Sequence, residues 1–224
     1  DITSICGGLN INIGTLNKNT IPSMFLAGKK ANELGHIVLL DPVGAGASRL
    51  RTDTANRLMQ EVRFDAVRGN ISEIKTLCTG SGSTKGVDAD AVDAVTEANL
   101  DDGVQLVKTF AQRAGCIVAV TGAIDLVSDG ERCWCIRNGR AEMSRITGTG
   151  CQLSALMTAF LVANPDHKLA AAAAAVCMMG LAGEIGWANM QPGDGNSTYR
   201  NRIIDAIFNM TGDALEKGAK YELR

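Results

Sequence analysis

Ile146-Thr147-Gly148-Thr149-Gly150-Cys151 runs straight into an apolar stretch, Leu153 to Ala163. Two glycines break a strand-like segment there, and a helix-like segment opens on a thiol. At such a junction successive backbone N–H groups have no intrahelical acceptor and bind anions. A cysteine in the first turn of a helix sits at the positive end of the helix dipole, which favours its thiolate. An anion cradle with a potential base inside it suits phosphoryl chemistry. Taken alone, the same residues also read as a tight left-handed turn that needs glycine.

Three other places carry groups that could work beside such a cradle. Asp41, before Pro42, could hold a metal ion or polarise water near a phosphate. The commoner fate of an Asp-Pro pair is a cap or turn. Arg68-Gly69-Asn70-Ile71-Ser72-Glu73 sets a guanidinium, a carboxamide and a carboxylate around one helix start. Asn70 and Glu73 are three apart, so both could face a phosphate–Mg2+ group. An ordinary N-terminal cap with Glu in the first turn explains the same spacing. Thr121-Gly122 ends a strand, and its hydroxyl could bond a phosphate or cap the turn.

Some patterns look functional and are not. Gly80-Ser81-Gly82-Ser83-Thr84-Lys85-Gly86 has the wrong order for a P-loop, because Lys85 meets Gly86 instead of Ser or Thr. Gly44-Ala45-Gly46 starts like a dinucleotide fingerprint but has Arg49 where a third glycine belongs. Asp88-Ala89-Asp90 opens like a calcium loop without the later Gly and Glu.

The elements that must position these groups alternate. Leu9 to Gly14 reads as a strand. A helix opened by Thr20-Ile21-Pro22 runs to Leu34 and stops at Gly35. His36 to Leu40 is an apolar strand that delivers Asp41. Thr52 is expected to cap a helix carrying Ala55, Leu58, Met59 and Val62. Phe64 to Val67 delivers Arg68-Gly69-Asn70, and Ser72 to Leu77 is a short helix. Thr79 to Thr96 is small, polar and Gly-rich, and reads as a mobile loop. Asp101 to Ala114 is helical, and the strand Cys116 to Val120 delivers Thr121. Leu126 to Ile136 reads as a hairpin or meander, with Asp129-Gly130 and Asn138-Gly139 as turns. Helices are then expected over Leu153–Ala163, Leu169–Ala188 and Tyr199–Lys217. Unbroken apolar strands alternating with helices imply a mostly parallel central sheet covered by helices on both faces. Ligands in such α/β folds sit at the carboxyl ends of the strands, where Gly14, Asp41, Arg68, Thr121 and Cys151 all fall.

The bulk numbers narrow the field. The chain has 224 residues, 46% hydrophobic and 21% charged, which suffices for a sizeable core. A net charge of -2 and 4% aromatics argue against a nucleic-acid partner. Seven cysteines with no C-x-x-C pair, and two histidines, fit reduced buried thiols in a cytoplasmic protein better than zinc or disulfides. Cys133 and Cys135 flank Trp134 on one face of a strand. No signal peptide is visible at the start. The Ala-rich stretch from Leu169 to Gly183 falls short of the ~20 residues a membrane span needs, so a buried helix is expected and no membrane partner.

Six motifs occur in a fixed order: Asn12-Ile13-Gly14-Thr15-Leu16, Asp41-Pro42-Val43-Gly44-Ala45-Gly46-Ala47, Arg68-Gly69-Asn70 with Glu73, Lys85-Gly86-Val87-Asp88, Val120-Thr121-Gly122, and Thr147-Gly148-Thr149-Gly150-Cys151. Together they resemble the hydroxyethylthiazole kinases, thiamine-salvage members of the ribokinase-like small-molecule kinases. The resemblance runs from about Leu9 to the final helices. It implies a three-layer ribokinase-like fold and ATP-dependent phosphorylation of the alcohol of 4-methyl-5-(2-hydroxyethyl)thiazole. It implies that Arg68 and Thr121 contact ATP phosphates, and that Asp41 and Glu73 arrange Mg2+ and its water. Gly148 would line the substrate site, and the N–H groups through Gly150 would form an anion hole. Cys151 would be the base, where most ribokinase-like relatives carry Asp. A homotrimer with sites between subunits is implied, Asn12 to Thr15 approaching the thiazole. Residues 1–224 would form one kinase domain, in which the family's first strand–helix unit is absent. Hydroxymethylpyrimidine kinase and NAD(P)H-hydrate dehydratase are nearby alternatives, against which the thiol argues. A non-catalytic nucleotide-binding module is an alternative of another class.

Overall fold

The computed structural model describes residues 1–79 and 94–224. After a single turn, α1 (Ile2–Ile5), the chain alternates β1 (Gly8–Asn12), α2 (Thr20–Leu34), β2 (Ile37–Asp41), α3 (Arg49–Glu61) and β3 (Ala66–Asn70). Next come α4 (Ile71–Thr79), α5 (Leu100–Ala114) and β4 (Ile117–Thr121). β5 (Asp125–Ser128) and β6 (Cys133–Ile136) follow, then α6 (Thr149–Ala163), α7 (Lys168–Ala188), α8 (Asn196–Asn209), α9 (Gly212–Gly218) and β7 (Tyr221–Leu223). The Thr79–Thr96 segment lies outside the described residues from 80 to 93, and with it the Lys85-Gly86-Val87-Asp88 motif and the P-loop-like and calcium-loop-like patterns.

The strands form one sheet in sequence order. β1 to β4 run parallel, in a register that sets their polar ends side by side: Asn12 pairs with Asp41, and Asn70 with Thr121. β5, β6 and β7 are antiparallel. The expected mostly parallel sheet is therefore parallel in only half of its pairings. The turn at Asp129-Gly130 is too short for a crossover, so the chain must fold straight back.

Alternation along the buried strands feeds two cores. Val38, Leu40, Val67, Val118 and Val120 face α2 to α5. Ile37, Leu39, Ala66, Ile117 and Ala119 face α6 to α8. Truncating a fully buried member such as Leu39 to Ala would cost about 2–5 kcal/mol. α7 is long and apolar enough to cross a membrane, yet 78% of its most apolar window is buried within the fold. The expected burial holds, but the helix is longer than the Leu169–Gly183 stretch, so its length does not exclude a span as the sequence reading held.

Several boundaries differ from expectation for local reasons. α2 matches from Thr20 to Leu34, closed by Gly35 in the left-handed conformation. The α3 cap is Ser48, whose hydroxyl accepts from the Arg51 N–H; Thr52 lies inside the helix and accepts from the Gly46 N–H. β3 extends to Asn70, so Arg68 and Gly69 are strand residues rather than a loop after it. The last helical stretch is two helices, α8 and α9, broken at Met210-Thr211, where Thr211 caps α9. The closing strand β7 has only three residues, too short for a periodic signal.

Candidate active site

The four parallel strands end in polar residues: Asn12, Asp41, Asn70 and Thr121. Asp41 and Thr121 each lie where an unbroken apolar run gives out. α6 begins across from this edge, and the two together bring Asn12, Asp41, Arg68, Thr121, Gly150 and Cys151 into one cluster.

Asp41 is fully buried. Its Oδ2 accepts from Asn12 Nδ2 at 2.9 Å and from Ser154 Oγ at 2.8 Å. Its Oδ1 accepts no hydrogen bond among the described residues. Arg68 Nη1 lies 3.6 Å from that oxygen, close enough to neutralise it and too far to bond it. Burial pushes the carboxyl up; the Arg68 charge and the Ser154 and Asn12 hydrogen bonds oppose this. The turn role common for Asp-Pro is therefore not what this side chain does.

Arg68 reaches across the edge from β3, and its Nη2 donates to Thr121 Oγ1 at 2.7 Å. Its guanidinium lies against α6. A Cβ on Gly150 would sit 2.6 Å from Nη1 and 2.8 Å from Nη2, so only glycine lets the helix start come this close. Gly148, the residue before α6, has φ 96, the left-handed turn anticipated from the sequence. Among the described residues no side chain caps this helix end, which leaves its first amides for a ligand.

Glu73 is buried, and both of its oxygens are engaged. Oε1 accepts from the Gly44 N–H at 2.8 Å and Oε2 from the Asn70 N–H at 2.8 Å. The Glu73 N–H donates in turn to Asn70 Oδ1 at 2.9 Å, a reciprocal cap on α4. Burial pushes Glu73 up, against the two backbone hydrogen bonds and the Arg68 charge. The carboxylate thus ties the loop after β2 to the start of α4.

Cys151 is the exposed one of the seven thiols, all of which are free. It lies in the first turn of α6, and Asn12 Nδ2 donates to its Sγ at 3.2 Å. Buried Cys133 and Cys135 share one face of β6, as their alternation suggested.

Sequence reasoning missed two members of the cluster. Ser154 lies three residues after Cys151 on the same helix, a spacing that could have flagged it. Asp125, half-buried at the start of β5, accepts from the Gly122 N–H at 2.8 Å. Burial pushes it up to about 7, against that hydrogen bond and the Arg68 charge.

Solved structures resemble this architecture. Pyridoxal kinase from Staphylococcus aureus in complex with ADP matches with a TM-score of 0.64 over 100% of this chain and 75% of that one; at 18% identity it speaks for the fold alone. The fold is that of the ribokinase-like proteins. The structure of the hydroxyethylthiazole kinase protein from Pyrococcus horikoshii OT3 matches with a TM-score of 0.85 at 30% identity, over 100% of this chain and 79% of that one. Hydroxyethylthiazole kinase of Clostridium acetobutylicum is 54% identical over 222 residues, 99% of this chain and 81% of that protein. The Clostridium beijerinckii enzyme of the same name is 46% identical, over 99% and 79%. The Hydroxyethylthiazole kinase family model matches residues 1–213. The chain belongs to the hydroxyethylthiazole kinase family.

Proposed function

We propose that residues 1–224 act as one kinase domain that transfers the terminal phosphoryl group of ATP to the primary alcohol of 4-methyl-5-(2-hydroxyethyl)thiazole. The observation that carries this reading is the exposed Cys151 thiol in the first turn of an uncapped helix, hydrogen-bonded through Asn12 to Asp41, with Arg68 3.6 Å from the other Asp41 oxygen. The alcohol oxygen attacks the γ-phosphorus as its proton passes to the thiolate form of Cys151, giving the thiol, and the bond from phosphorus to the bridging oxygen of ADP breaks. The amides from Gly148 to Gly150 stabilise the charge on the transferred group, and Gly148 lines the alcohol site. Arg68 and Thr121, already bonded to each other, turn to the ATP phosphates.

The donor set suits Mg2+. Mg2+ takes one or two carboxylates together with waters and phosphate oxygens, and when bound it neutralises phosphate charge. Asp41 Oδ1 is a buried oxygen with no hydrogen bond, the kind of group a hard cation satisfies. The oxygens of Glu73 already serve two backbone amides, so Glu73 would help hold the ion through its waters. The same reading makes the protein a cytoplasmic homotrimer in which Asn12 to Thr15 approach the thiazole at a subunit boundary.

The test is ADP release from Mg-ATP with and without hydroxyethylthiazole. Thiazole-dependent release is expected. ATP binding without it would refute the assignment and favour a binding module.

A further inference from the structure

The Asn12 carboxamide uses both of its N–H groups on chemically different partners. Nδ2 donates to Asp41 Oδ2 at 2.9 Å and to Cys151 Sγ at 3.2 Å. These partners come from β2 and α6, far apart in sequence. The amide cannot turn over to satisfy them differently, because its Oδ1 accepts the Gly14 N–H at 2.8 Å. A flipped carboxamide would set N–H against N–H there and leave Asp41 facing an oxygen. Gly14 protects this arrangement as well, since a Cβ on it would lie 2.9 Å from Asn12 Oδ1. Asn12 is held from below by the register of β1 on β2, which places it directly beside Asp41.

We infer that Asn12 is a positioning residue that joins the two halves of the chemistry, fixing the Cys151 sulfur relative to the Asp41 carboxylate. This rests on the reading of Cys151 as proton acceptor and Asp41 as the ion-facing carboxylate. An N–H aimed at Sγ fixes where the sulfur lone pairs point, so the contact sets the direction from which Cys151 takes a proton. The second N–H, together with Ser154 Oγ, occupies Asp41 Oδ2 and so leaves Oδ1 as the oxygen turned to a cation. Orientation is worth much here, because small misplacements of reacting groups cost large factors in rate.

Two variants of the whole chain test this. In Asn12→Asp the Gly14 acceptor remains, but a carboxyl has at most one proton to share where the carboxamide had two, so Cys151 or Asp41 loses its donor. Gly14→Ala instead pushes the intact carboxamide out of place. Three quantities are read: the thermal midpoint, the rate of Cys151 alkylation by iodoacetamide at neutral pH, and kcat and KM for thiazole-dependent ADP release. Peptide mass spectrometry separates Cys151 from the half-buried Cys6 and Cys78.

Asn12→Asp is expected to slow Cys151 alkylation about threefold or more and to lower kcat about tenfold or more, with KM for ATP changed by less than about threefold. Gly14→Ala should move both in the same direction. A purely structural Asn12 would lower the thermal midpoint and leave the alkylation rate untouched. Wild-type alkylation in folded Asn12→Asp overturns the inference, as does slowed alkylation with full kcat. If Asn12→Asp does not fold, Gly14→Ala decides by the same two readouts. Should the wild-type chain show no thiazole-dependent turnover, the proposed function fails, and the alkylation rates still decide whether Asn12 governs Cys151.

Discussion

Gly150→Ala separates the stability of this fold from its chemistry. Gly150 is the second residue of α6 and has no left-handed backbone to maintain. Alanine there should gain up to about 1 kcal/mol of helix propensity. The added Cβ, however, lies 2.6 Å from Arg68 Nη1, 2.8 Å from Nη2 and 3.1 Å from Cζ. One side must move. α6 is anchored by Leu153, Met157 and Leu161 in the core, so the guanidinium yields. Its bond to Thr121 Oγ1 is charge-assisted, and losing it costs about 1.5–3 kcal/mol. The net change in stability is therefore a loss of about 0.5–3 kcal/mol, read by urea denaturation. The effect on turnover is larger if Arg68 holds a phosphate in the transition state. Removing a donor of that kind costs about 100-fold or more in rate. The assay is kcat/KM for ATP in thiazole-dependent ADP release. A folded Gly150→Ala enzyme within about threefold of wild type would refute the placing of Arg68 on the phosphates.

Cys151→Asp should keep or raise turnover, because Asn12 can donate to the carboxylate as it does to sulfur, while Cys151→Ala should lose it; full activity in the alanine variant would make Cys151 structural only. Glu73→Gln sets an NH2 group against either the Gly44 or the Asn70 N–H, and relief of a buried charge offsets only part of that loss. Stability in urea should fall by about 1 kcal/mol, and a rise would contradict the backbone-holding role. Asp125 contributes to the pH dependence, in the same direction as Asp41 and Glu73. Its folded value is raised to about 7, above the ordinary carboxylate value, so its contribution is present in acid and is lost as pH rises through about 7. Between about pH 4 and pH 7 wild-type stability should fall by up to about 1.4 kcal/mol per pH unit relative to Asp125→Asn, which still offers Gly122 an acceptor. Parallel profiles for the two proteins would remove Asp125 as the source.

The parallel strands and the helices between them were legible because short apolar runs, unbroken in β2 and β4, alternate with helical patterns and stop at polar residues or Gly. The site was legible as a row of residues at strand ends, which is a matter of chain order. What the sequence withheld is which lone pair meets which donor. Nothing in the spacing of Asn12, Asp41 and Ser154 shows that two of them share one carboxylate oxygen. The sequence separations of 29 from Asn12 to Asp41 and of 139 from Asn12 to Cys151 carry no local signal of contact. The Asn70–Glu73 spacing had two readings, and the cap is formed in the structure. β7 was invisible because its pairing to β6 is set by backbone hydrogen bonds at the chain's far end, not by a pattern of its own.

The roles of the two carboxylates derive from the hydrogen bonds they have already made. Glu73 is held at both oxygens by backbone amides, so its first effect is on the shape of the β2–α3 loop and the α4 start. Asp41 is held at one oxygen only. The cation nearest the other, Arg68, stands 3.6 Å away because it is drawn off by Thr121. A guanidinium bonded squarely to Asp41 would close the site to a metal ion. One removed altogether would leave a buried, uncompensated carboxylate, which costs several kcal/mol. The pull of Thr121 and the near contact of Gly150 keep Arg68 between these extremes. Asp41 thus stays charge-compensated before a ligand arrives, yet keeps an oxygen to offer when it does. On the proposed reading, Thr121 and Gly150, which contribute no charge, serve the site by holding Arg68 in place.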